Sequence, residues 1–159
     1  MKQSETTLRL NKYLNTDIGA PMYEEARNFL FIWNLFESKF FPTRNSINYT
    51  TVTTTALSVD EELINATIAY FQSKYLTENN TNGSFNGLKL ANKQKRFVSS
   101  VLLGCSAKAD KIAATIFIIY RYRNNLFHGT KRILDIPNQT DIFRYANRFM
   151  LSCLESNIK

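Results

Sequence analysis

From Ser106 to His128 the chain carries neither proline nor glycine, and Gly129 follows at once. Within that run Ile112, Ile116, Ile119 and Tyr120 recur every three or four residues. The spacing fits an α-helix of about five turns better than a strand, despite the isoleucine-rich centre. The helix should start near Ser106 to Asp110 and end at about Phe127 or His128, with Gly129 in a position that commonly closes helices.

Five glycines and three prolines in 159 residues leave room for more such helices. Pro21 suits a first helical turn and Pro42 ends a segment, so a helix is expected from Pro21 to about Phe41. Ala26, Phe29, Leu30, Trp33, Phe36 and Phe40 give it one apolar stripe. Residues 43–57 are rich in Thr and Asn and are expected to form a loop. Ser58-Val59-Asp60-Glu61 matches a capping box and should open a helix to about Leu76. Asn79 to Gly87 reads as a surface loop, and Leu88 to Leu103 as a helix closed by Gly104. After a turn around Asp135 to Asn138, a last helix is expected from Thr140 or Asp141 to about Ser156. Its inner face would be Ile142, Ala146, Phe149, Met150 and Cys153, with Arg144 and Arg148 pointing away. The pattern predicts an all-α fold, an antiparallel bundle of four to five helices. Residues 21–159 would form its single domain and residues 1–20 an N-terminal extension.

An apolar fraction of 44% excludes a disordered chain, and the formal charge of +7 favours encounter with polyanions such as nucleic acid. The same charge also serves solubility alone. Cys105 and Cys153 stand far apart in neither a CxxC nor a Cys/His pattern, so no disulfide framework, zinc site or other cofactor is expected. Met1 to Leu10 is polar where a signal peptide needs an apolar run, and no stretch reaches the roughly 20 apolar residues of a membrane span. A cytoplasmic protein without membrane contact is the expectation.

Two charges interrupt the apolar stripes. At 100° per residue, Ile112, Ile116, Ile119, Arg123 and Phe127 fall within a band of roughly 80°. A buried guanidinium without a partner costs several kcal/mol, so Arg123 requires an anion, water or a ligand. Glu37 lies among Ala26, Leu30 and Trp33 on the apolar side of the first helix. The two are expected to approach across the interface between their helices, as a structural ion pair or as part of a site.

His128 is the only histidine in the chain and sits near a helix end, where the dipole favours the imidazolium. On a straight helix it lies about 140° from Arg123 but nearly co-facial with Arg121 and about 40° from Asn124. Arg121, Asn124 and His128 thus form the tighter cluster. Fraying beside Gly129, or a second subunit, would bring Arg123 into it.

Arg123-Asn124-Asn125-Leu126-Phe127-His128, an Arg and a polar residue followed by three residues and a His, resembles the motif of the HEPN superfamily (higher eukaryotes and prokaryotes nucleotide-binding). The context is similar too: an all-helical domain, the motif at the end of the penultimate long helix, and a first helix reading Phe31-Ile32-Trp33-Asn34-Leu35-Phe36-Glu37. The resemblance implies a metal-independent endoribonuclease, commonly a homodimer with two facing motifs. Many relatives are toxins or antiphage-defence effectors, so an antitoxin or defence-system partner is among the implied partners. It implies His128 as acid/base, Arg123 as the residue holding the scissile phosphate, and Asn124 as an orienting group. Non-catalytic relatives exist, which leaves open a module that binds RNA, a nucleotide or a protein.

The inventory suits such chemistry. Attack by a ribose 2'-hydroxyl on its own phosphate needs a base, an acid and a cation. One chain holds one His, whereas a symmetric dimer supplies two. For RNA approach the candidates are Lys131 and Arg132, followed by Lys89, Lys93 and Arg96, each group having a plain reading as a solvated surface. Tyr120 and Tyr122 are candidates for base stacking, with Tyr120 on the apolar side and so assigned to the core.

Overall fold

Hydrophobic periodicity, caps and turn residues cooperate to give an all-α fold. A computed structural model describes residues 3–15, 17–43, 45–127 and 139–157. Its helices are α1 (Glu5–Leu14), α2 (Ala20–Phe40), α3 (Tyr49–Thr54), α4 (Glu61–Tyr75), α5 (Gly83–Asn86), α6 (Asn92–Leu103), α7 (Lys108–Phe127) and α8 (Thr140–Ser156). A two-residue hairpin, β1 (Leu76–Thr77) with β2 (Asn80–Thr81), follows α4.

The centre of the bundle is α7. Every residue from Ile112 to Ile119 is buried, so this helix is covered all round by α3, α4 and α6 rather than along one stripe. Helices α2 and α8 pack most extensively on one another. Glu25 meets Asn147 and Arg144 near their starts, while Lys39 Nζ donates to the Asn157 carbonyl near their ends, so the two run in one direction. Phe29 packs on Phe143 and Phe36 on Phe149 between them. Helix α4 runs against α8, as the stack of Tyr70 on Tyr145 and the bond between Asp60 N–H and Ser152 Oγ require.

Five departures from the sequence reading have local causes. Residues 1–20 are not a bare extension, because they hold α1. Ser4 Oγ caps that helix, and Asn11 ties it to the next segment. Asn11 Nδ2 donates to the Ile18 carbonyl at 2.9 Å, while its Oδ1 accepts from Ile18 N–H and Tyr23 Oη. The supposed loop 43–57 contains α3, capped by Asn48 Oδ1 on Thr51 N–H. The cap of α4 is Asp60 rather than Ser58, its carboxylate accepting from Leu63 N–H at 2.9 Å. Between Asn79 and Gly87 the chain turns through Glu78 and Asn79, both at positive φ, and then forms α5 with Phe85 buried. Finally, α6 starts at Asn92 because Lys89 adopts a left-handed conformation, while Leu88 and Leu90 are buried ahead of it.

Tertiary packing explains α3. A six-residue, threonine-rich helix is marginal alone. Here the Tyr49 ring stacks on Phe117 of α7 at 6.2 Å and meets Phe97 of α6 edge-on at 5.7 Å, and Lys93 Nζ lies 4.1 Å from its centroid. Val52 is buried beneath, and the threonine hydroxyls bond back to carbonyls one turn earlier. Cys153 is enclosed in the core, where burial pushes its thiol up to about 12, while Cys105 is exposed.

Candidate functional site

The last turns of α7 carry the charged side chains that its buried middle lacks. Arg123 and Asn124 are half-buried there, and Arg123 Nη1 donates to Asn124 Oδ1 at 3.1 Å. Arg121 takes another direction. Its Nε donates to the Leu88 carbonyl at 2.8 Å and its Nη2 to Asn125 Oδ1 at 3.5 Å, fastening α7 to the segment before α6. Asn124 is therefore joined to Arg123 rather than clustered with Arg121. His128, Lys131 and Arg132 lie outside the described residues.

Glu37 and Arg123 line one polar cavity of about 350 Å³. Its other walls are Tyr120 and the segment entering α3, through Thr43, Asn45, Ser46 and Ile47. No ion pair between Glu37 and Arg123 is present among the described residues. Glu37 Oε2 accepts from Trp33 Nε1 at 2.8 Å, one turn earlier on α2. Trp33 in turn stacks on Tyr120, with centroids 6.0 Å apart and planes inclined by 27°. The carboxylate is thus oriented by its own helix.

The tyrosine roles are reversed relative to the sequence reading. Tyr122 is buried, and its hydroxyl accepts a hydrogen bond from Tyr75 Oη at 3.2 Å, so it cannot present a face to a base. Burial raises the pKa of both phenols, most strongly for Tyr75, and keeps them neutral at physiological pH. Tyr120 is the half-buried ring that lines the cavity. Beside Tyr75, Tyr70 is also shifted upward, first by burial and then by Tyr122 and Asp141, while burial lowers Lys74 against the opposing effect of Asp141.

Lys93 is engaged over the Tyr49 ring, whereas Lys89 and Arg96 are exposed. Arg96 lines a separate shallow groove with Lys95, Phe85 and Leu103. Sequence reasoning missed Trp33 and Asn125. Trp33 stands four residues before Glu37, the spacing that places two side chains on one helical face. Asn125 lies seven residues after the buried Ile118 and close to its face, which foretold its burial.

Among the described residues, no helix is long and apolar enough to cross a membrane. No family model matches the chain, and neither a curated protein nor a solved structure does. The fold and cavity define an all-helical domain with an acid and a base facing a common polar pocket.

Proposed function

We propose that this protein is a metal-independent endoribonuclease of the HEPN type, cytoplasmic, and active as a homodimer with a composite site. In this reading His128 is the acid/base, Arg123 holds the scissile phosphate and Asn124 orients it, with Lys131 and Arg132 guiding RNA inward. A toxin or antiphage-defence role, with an antitoxin or defence-system partner, follows from the same resemblance. The observation that carries the reading is the Arg123–Asn124 pair, half-buried at the end of α7 and beside an open polar cavity. A guanidinium there offers a planar fork to two phosphate oxygens and never loses its charge.

The test is incubation of purified protein with total tRNA and ribosomal RNA in the presence of chelator. Products should end in 2',3'-cyclic phosphate, and His128→Ala should lower the rate by about 100-fold or more. Equal cleavage by His128→Ala would sink the mechanism. Arg121, tied to Leu88 and Asn125, favours a second reading in which the arginines of α7 are structural and the domain binds RNA, a nucleotide or a protein without catalysis. In that case Arg123→Ala would mainly lower the melting temperature, and His128→Ala would change neither stability nor binding.

A further inference from the structure

We infer that the cavity between α2, the segment entering α3, and α7 is a guanine subsite, read by Glu37, for the nucleoside whose 3'-phosphate Arg123 holds. The inference rests on the ribonuclease reading for the phosphate and on the cavity itself for the base.

Among the described residues, the cavity walls carry one acidic and one basic side chain, Glu37 and Arg123. The cavity volume of about 350 Å³ lies at the small end of ligand pockets and is ample for a nucleobase. Tyr120 supplies an aromatic wall, backed by its stack on Trp33.

Glu37 decides among the bases. An ionised carboxylate only accepts hydrogen bonds. The Trp33 indole holds Oε2 and fixes the orientation of the group, while Oε1 has no hydrogen-bond partner among the described residues. Guanine presents two adjacent donors, N1–H and the 2-amino group, which match a carboxylate. Adenine and cytosine present one donor beside a bare ring nitrogen, and uracil one donor between two carbonyls, so each sets a lone pair against Glu37. Asn45 and Thr43, which also line the cavity, carry side-chain donors for guanine O6 and N7.

With the base seated, the 2'-hydroxyl of that guanosine attacks its own 3'-phosphate. The O2'–P bond forms and the P–O5' bond to the next nucleoside breaks. A base takes the 2'-hydroxyl proton, and an acid returns one to the departing O5'. The product ends in guanosine 2',3'-cyclic phosphate.

The experiment has a binding arm and a cleavage arm, both on the full chain. Calorimetry with guanosine, inosine, adenosine, cytidine and uridine 3'-monophosphates should rank guanosine tightest by about tenfold or more. Inosine, which lacks only the 2-amino group, should lose roughly tenfold. Glu37→Gln, nearly isosteric, should flatten the ranking while circular dichroism reports the native helix content. Oligonucleotides with one guanosine among adenosines should be cut on its 3' side. Equal binding of guanosine and inosine, or a ranking that survives Glu37→Gln, overturns the subsite. Cleavage without guanosine preference also overturns it and leaves the ribonuclease reading standing. Guanosine-selective, Glu37-dependent binding with no RNA cleavage supports the subsite and removes the ribonuclease reading.

Discussion

Replacing Tyr49 by alanine should remove the clamp that holds α3 on the bundle, and with it one wall of the cavity. The ring takes part in a stacked contact with Phe117, an edge-on contact with Phe97 and a cation–π contact with Lys93. Aromatic pairs contribute about 0.5–1.5 kcal/mol each beyond their area, and an exposed cation–π contact about 0.5–1 kcal/mol. With the apolar surface lost from a half-buried ring, the expected destabilisation is about 2–4 kcal/mol. For a chain of this size that lowers the melting temperature by roughly 5–15 °C. Urea titration followed by circular dichroism reads the free energy directly. Limited proteolysis should show new cuts between residues 43 and 57, because a threonine-rich turn and a half of helix does not persist undocked. Tyr49→Phe is the control. The phenol makes no hydrogen bond among the described residues, so this variant should stay within about 0.5 kcal/mol of wild type. A Tyr49→Ala protein destabilised by less than about 1 kcal/mol, with the 43–57 segment still protected, would refute the claim that these ring contacts hold α3.

Asn11→Ala should destabilise by about 2 kcal/mol, because it strands the buried Ile18 N–H and carbonyl that the side chain satisfies. A thermal melt indistinguishable from wild type would return residues 1–20 to the status of an extension. Stability should also fall as pH rises above 10. Tyr75 and Tyr122 keep their protons in the folded state beyond their ordinary value of 10.0, so the unfolded chain sheds them first and is favoured. The slope is about 1.4 kcal/mol per pH unit for each phenol while it differs between states, and Tyr75→Phe should make it shallower. A flat denaturation profile between pH 10 and 11, read by urea titration, would contradict the burial of the pair.

The sequence by itself determined the long helices, because their information is local. Periodic apolar residues, scarce glycine and proline, and an acidic cap before Leu63 mark α2, α4, α7 and α8 within a few residues. It also singled out Arg123 and Glu37, since a charge inside an apolar stripe is visible on a helical wheel. Tertiary structure decided the rest. Helix α3 exists because Tyr49 finds Phe117, some seventy residues away, and threonine propensity alone argues the other way. Arg121 and Asn124 look adjacent on the wheel, yet the Leu88 carbonyl draws one aside and Arg123 holds the other. Which tyrosine reaches the cavity, and that Trp33 stacks on Tyr120, depended on how α2 meets α7. A helical wheel gives the direction in which a side chain leaves its helix. The group waiting there is set by packing between helices far apart in the chain.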